Sequence, residues 1–239
     1  MFCTETIVSS GQCDPWGRIR PDALAALLER VAAQQMVQIN EGRGAQAGEV
    51  EMRILVDRTI RITEIPQLGQ RIKVYIWFGT EVGPLLPRRA RILSEDGVVL
   101  VETAARWGHL NPDTRTLTTK TILFRSIAEQ VEGELPLPSW SLPFPRLERC
   151  EERVVLPDQI DENRHMNNAC YLTWVQSVLA TDFLQTHVLS EVWIEFAREL
   201  LEGQRVSLLW RLEGNVLWMR GMSPEECFSA RLIYREPSN

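Results

Sequence analysis

Asp14-Pro15-Trp16-Gly17-Arg18-Ile19-Arg20-Pro21-Asp22 reads as a polar turn running into a helix. Pro21 suits a first helical turn, where its missing N–H is not needed, and Asp22 complements the positive end of the helix dipole. Leu24, Leu27, Leu28 and Val31 then recur at helical spacing, and Gly42 and Gly44 mark the end. A second stretch, Asp161-Glu162-Asn163-Arg164-His165-Met166-Asn167-Asn168, stands in the same place before another apolar helix. That helix is expected to carry Tyr171, Trp174, Val175, Val178, Leu179 and Phe183 on one side. Gly69-Gln70-Arg71 and Gly203-Gln204-Arg205 each introduce a strand-like run. The chain therefore reads as two copies of one unit: strand, loop, long helix, then antiparallel strands.

The strand signals support that unit. Met52, Ile54, Val56, Ile60 and Ile62 alternate with Arg53, Asp57, Thr59 and Arg61, and Ile72, Val74 and Ile76 alternate with Arg71, Lys73 and Tyr75. Runs at 88–94 and 98–107 flank Glu95-Asp96-Gly97, a hairpin turn, and Asn111-Pro112-Asp113 marks another turn. In the second copy, strands are expected at 154–156, 188–196, 204–212, 215–222 and 227–235. Between the copies, Pro136, Pro138, Pro143 and Pro145 interrupt Trp140 and Phe144, a composition unsuited to a central strand or a helix interior. Residues 129–148 are therefore read as an extended linker lying against the protein, between units at 1–128 and 149–239. A helix of about 18 residues is about 27 Å long. A sheet that wraps such a helix gives an α+β layer structure.

Composition narrows the function. Of 239 residues 44% are hydrophobic and 24% charged, as in globular proteins, so disorder is excluded. The 26 basic residues against 32 acidic ones argue against a general nucleic-acid binder. No apolar run is long enough for a membrane span, and residues 1–10 lack the pattern of a secretory signal. The five scattered cysteines, without a CxxC pair, read as reduced thiols in a cytoplasmic protein. Three histidines and those cysteines show no metal-ligand spacing. Neither a serine-hydrolase elbow nor a nucleotide-binding glycine motif is present, and no cofactor is implied. His109 reads as a loop residue and His187 as a cation at a helix end.

The segment 161–168 carries the chemistry. It is too polar for a core yet leads directly into an apolar helix. If it is extended, Asp161, Asn163 and His165 share one side, while Glu162 and Arg164 point away. An acid, an amide and an imidazole so grouped can activate water and move a proton. The helix N-terminus beyond them offers free N–H groups that could stabilise an oxyanion. Capping by Asn167 or Asn168 accounts for part of the stretch without any chemistry. The first copy favours function: aligned on Asp14, it holds Trp16 and Arg18 where the second holds Asn163 and His165. The same turn exists there without those chemical groups.

With these residues in view, the chain resembles the acyl-ACP thioesterase family of plant plastids and bacteria over nearly its whole length. The matching pieces are 14–19 and the helix after it, Arg91-Ile92-Leu93 through Glu102-Thr103-Ala104-Ala105-Arg106-Trp107, Asp113-Thr114-Arg115, and Asp161-x-Asn163-x-His165-Met166-Asn167-Asn168-x-x-Tyr171. The resemblance implies two tandem hotdog domains, each a long helix wrapped by an antiparallel sheet. It implies an acyl-chain pocket in the first domain and catalysis in the second. It also implies hydrolysis of fatty acyl-ACP to free fatty acid, within fatty acid biosynthesis. The family's acid, amide and imidazole match Asp161, Asn163 and His165. Its later Arg-Glu-Cys matches Arg198-Glu199-Leu200, so the glutamate is kept and a leucine replaces the cysteine, which excludes a cysteine nucleophile at that position. Arg88 and Arg89, beside Arg91, and also Arg198 are candidates for docking an acidic carrier protein. Alternatives are an acyl-CoA thioesterase, a hotdog 3-hydroxyacyl dehydratase and a non-catalytic acyl-binding protein. Two fused units already satisfy the usual hotdog pairing, and a homodimer stays open.

Overall fold

The structure, a computed structural model, describes residues 1–41, 52–80, 83–110 and 143–237. The expected turn at Asn111-Pro112-Asp113, the matching piece Asp113-Thr114-Arg115 and most of the 129–148 linker lie outside them. The first half comprises β1 (Phe2–Ile7), α1 (Pro21–Glu41), β2 (Met52–Ile62), β3 (Arg71–Phe78), β4 (Leu85–Ser94) and β5 (Val99–Leu110). The second comprises β6 (Arg149–Val154), α2 (Asn168–Ser177), α3 (Thr181–Thr186), β7 (Val188–Phe196), β8 (Arg205–Glu213), β9 (Val216–Met222) and β10 (Glu226–Arg235).

All ten strands join one sheet in the order β1-β3-β4-β5-β2-β7-β10-β9-β8-β6. That order reads the same from either edge if β1 is matched with β6, β2 with β7, β3 with β8, β4 with β9 and β5 with β10. The halves meet where β2 pairs antiparallel with β7, and Thr59 lies opposite Trp193 at the centre of that pairing. Even the irregularities match: β2 and β5 slip register at Leu55/Asp57, and β7 and β10 at Ile233/Tyr234.

Inward positions alternate along each strand because one face alone meets the helices. Ile72, Val74, Ile76, Val206 and Leu208 are buried on that face, with Leu24, Leu28, Val31, Tyr171 and Val175 from α1 and α2. On the outer face Arg91 pairs with Glu102, Arg106 with Asp57 and Arg231 with Glu191. Phe144, from the end of the linker, packs edge-on against Trp218 at 5.1 Å and lies 6.1 Å from Trp193. Among the described residues no helix is long and apolar enough to cross a membrane.

Two elements depart from expectation, and the first is the strand expected at 154–156, which is displaced towards the N-terminus as β6, Arg149–Val154. The second helix is broken: α2 ends at Ser177 and α3 starts at Thr181. Ser177 turns its hydroxyl back to the Trp174 carbonyl at 2.8 Å, and Ala180 is extended. Serine, valine and threonine cluster at the break; they hold a helix less well than the alanines of α1, and a back-bonded serine loosens the local ladder. The apolar spacing continues through the break because both pieces bury the same side.

Candidate active site

The two turns that precede the helices share one hydrogen-bond design. In the first, Asp14 donates its N–H to the Arg18 carbonyl at 2.8 Å, and its carboxylate accepts from the N–H groups of Trp16 and Arg18. In the second, Asp161 donates to the His165 carbonyl at 3.0 Å, and its carboxylate accepts the Asn163 N–H at 2.9 Å. An aspartate that bonds to the backbone two residues on makes a self-supporting turn. The fourth position is left-handed in both: Gly17 has φ +79° and Arg164 has φ +66°. The segment is thus a tight turn, and the extended reading made from the sequence is corrected. The aspartate folds back on its own backbone, and Glu162 joins the same cavity as its neighbours instead of pointing away.

The second turn is fixed from behind. Met166 N–H donates to the Leu200 carbonyl at 2.7 Å, and Asn167 N–H to the Gln159 carbonyl at 2.8 Å. Asn167 caps α2 by accepting the Ala169 N–H at 2.9 Å. Leu200 is fully buried, and it serves the turn through its backbone carbonyl. Tyr171 stacks edge-on with Phe196 and Phe228 at 5.1 Å each, and burial holds its hydroxyl well above the usual phenol range. His165 presents Nδ1 to the Asp161 carboxylate at 3.5 Å and to the Met166 carbonyl at 3.3 Å. Nε2 is the ring nitrogen left for other partners.

Asp161, Asn163, His165, Arg198 and Glu199 line one cavity of about 640 Å³. Its opposite wall comes from the first half: Met36, Ile54, Leu55, Phe78, Leu86 and Trp107. A polar end facing a largely apolar wall, which also carries Glu29, Arg30 and Arg88, at a volume within the range of small-molecule sites, suits an amphipathic ligand. Among the described residues no cysteine lines this cavity, and none of the His, Cys, Asp and Glu clusters could hold a metal ion. Cys170 lies in a separate groove, and burial raises its thiol pKa, which disfavours the thiolate.

The expected docking arginines separate. Arg88 is not a surface residue: it is 7% exposed, lines the chamber, and lies over the Phe78 ring at 4.5 Å. It shares the inner face with Phe78, its partner on β3, so it cannot meet a carrier protein. Arg89 points to the outer face beside Trp77. Arg198 is exposed at the cavity mouth and is paired with Glu225.

Sequence reasoning missed Glu29 and Arg58. Glu29, from α1, lines the cavity beside Asp161, His165 and Asn168. Its carboxylate meets Arg58 of β2 at 3.3 Å, with both side chains largely enclosed. Burial pushes the Glu29 pKa up, and Arg58 and the Asn168 amide draw it back. The signal was readable: Arg58 falls in phase with Ile60 and Ile62, a charge on an otherwise apolar strand face.

Comparison with known proteins places this architecture. A chain of about the same length, an acyl-ACP thioesterase from Bacteroides thetaiotaomicron, superposes with a TM-score of 0.82 at 16% identity, covering 98% of this chain and 97% of its own. The 12:0-ACP thioesterase from Umbellularia californica does so with a TM-score of 0.81 at 17% identity, covering 99% and 97%. The fold is thus a tandem double hotdog. The family profile described as the acyl-ACP thioesterase C-terminal domain matches residues 151–226. Oleoyl-acyl carrier protein thioesterase 2, chloroplastic, from Arabidopsis thaliana is 23% identical over 215 residues, covering 79% of this chain. The chain spans 56% of that relative's length. The chain is thus similar to acyl-ACP thioesterases over most of its length, and residues 151–226 match the C-terminal domain of that family.

Proposed function

We propose that this protein hydrolyses fatty acyl thioesters of acyl carrier protein, releasing the free fatty acid and the carrier thiol. The observation that supports this most is the junction itself: a polar turn from one half opens onto a largely apolar chamber from the other. An acyl chain in the chamber brings its thioester to the start of α2, where backbone N–H groups face developing negative charge on the carbonyl oxygen. Glu199 or Asp161 takes the proton of the attacking water, or attacks directly. Asn163 orients the water or the carbonyl, and His165 gives a proton to the departing thiolate from Nε2. With Leu200 at the family's cysteine position, the step runs through carboxylate and imidazole without a sulfur nucleophile. The carrier docks near Arg198, at the mouth.

The test is a panel of acyl-ACP and acyl-CoA substrates, read by free thiol released. Faster release from acyl-ACP supports the proposal, and apparent affinity should weaken with added salt. Faster turnover of acyl-CoA would replace the carrier, and acyl groups bound without thiol release would replace hydrolysis.

A further inference from the structure

We infer that Glu29, held by Arg58, is a cross-domain positioning residue for the proposed hydrolytic site, setting Asn168 and with it the turn 161–165. The inference rests on the thioesterase reading above. Glu29 belongs to α1 of the first half, whereas Asp161, Asn163, His165 and Glu199 all belong to the second. Its carboxylate lines the cavity with them and faces the side chain of Asn168, the first residue of α2. Arg58 reaches it from β2, a buried strand at the centre of the sheet. A rigid strand thus carries a cation, the cation fixes a carboxylate on a long helix, and the carboxylate faces the residue that follows the cap of the catalytic-turn helix.

The repeat shows that the fold does not require this arrangement. In the other copy the position matched to Glu29 is Gln176, that matched to Arg58 is Val192, and that matched to Asn168 is Pro21. There the corresponding turn has no imidazole, and the interior is apolar at Val192. Enclosing a carboxylate and a guanidinium is costly unless they are paired, and an apolar pair commonly packs as well or better. The charged pair and the amide therefore occur in the copy of the junction that faces the proposed reactive groups. A catalytic turn built on an exposed loop needs such a support to stay within a fraction of an ångström of its productive geometry.

The test uses two variants of the full chain. Glu29→Gln combined with Arg58→Val copies the other half, and Asn168→Ala removes the amide without touching the buried pair. Each is expected to lower kcat about tenfold or more while KM stays within about twofold. The Asn168→Ala unfolding midpoint is expected close to wild type. A folded double variant, or Asn168→Ala, with wild-type kcat would overturn the inference. So would a loss confined to the unfolding midpoint, which is all that a packing role predicts. If the double variant does not fold, Asn168→Ala decides alone. A wild-type protein that releases no thiol from any substrate takes down the function and this inference together, whereas active variants beside an active wild type remove only the inference.

Discussion

The two halves begin with the same turn and end with opposite interiors. At the position of His165 the first turn has Arg18, which donates to Asp14 at 2.7 Å and reaches across to the carbonyls of Leu184 and His187 at 2.7 and 3.2 Å. Arg18 thereby ties down the end of α3, the short helix created by the break after Ser177. Behind it the space is filled: Phe183 packs on Tyr234 and stacks on His187 at 4.2 Å. In the other copy α1 runs unbroken for 21 residues, and the matched interior stays open. Tyr234 stands where that copy has Trp107, and Leu217 where it has Arg88. One scaffold is used once as a closed block and once as a chamber, and the side chain at the fourth residue after each aspartate marks which is which.

The largest expected effect separates the two turns by what they do. His165→Ala should leave the fold intact and cut thiol release by about 10²-fold. Unchanged turnover would remove the imidazole from the mechanism. Arg18→Ala should do the reverse, leaving turnover within a few-fold while lowering stability by about 2 kcal/mol, because Asp14 and two carbonyls lose their common donor. Denaturant unfolding checks the second claim. A variant that unfolds like wild type but no longer hydrolyses would show that the comparison has been drawn the wrong way round.

The repeat was legible in the sequence because Asp14 and Asp161, and the paired Gly-Gln-Arg triplets, occupy turn positions whose backbone geometry tolerates few residues. The strand through Ile72, Val74 and Ile76 was legible for the same reason that it is buried on one face: a period of two leaves little freedom. The break between α2 and α3 was hidden, since Val178, Leu179 and Phe183 keep helical spacing whether or not the backbone is continuous. Asp161, Asn163 and His165 were found through the contrast with Trp16 and Arg18. Glu29 was not, because a single glutamate in an amphipathic helix resembles any solvated residue until the second half of the chain covers it. Arg88 was misplaced because adjacent arginines on a strand point to opposite faces, and sequence alone does not say which face is in.

A smaller effect lies at the seam between the halves. Across β2 and β7, Asp57 lies opposite Glu195 at one end, and Arg61 opposite Glu191 at the matched end. Two carboxylates thus meet on one side of the pseudo-symmetric centre, and opposite charges on the other. Burial raises the Glu195 pKa, and the neighbouring Asp57 charge adds to it. A carboxyl raised in the folded state binds its proton more tightly there than in the unfolded chain. Its contribution is fully present below the unfolded value of about 4.3 and is lost as pH climbs through the folded value. Acidifying from neutral pH towards about 5 should therefore stabilise the protein slightly, and Glu195→Gln should flatten that slope. An unchanged slope in the variant would place the proton elsewhere.

The smallest expected effect concerns the left-handed residue itself. Gly17 and Arg164 hold the same position, and Arg164 is the only non-glycine residue at positive φ among those described. A side chain there crowds the following carbonyl, at about 1 kcal/mol or more, whereas glycine does not. Arg164 is exposed and does not line the cavity, so no contact with a bound acyl chain offsets that strain. Arg164→Gly, which copies the first turn onto the second, should raise the unfolding free energy by about 0.5–1 kcal/mol, after the greater flexibility of glycine in the unfolded chain is subtracted. Turnover should hold within about twofold, since Asp161 and His165 keep their backbone bonds to each other. A stabilised variant that loses activity would mean that the arginine contributes more than a strained backbone, and would place it at the cavity mouth with Arg198 as a second cation for the incoming carrier.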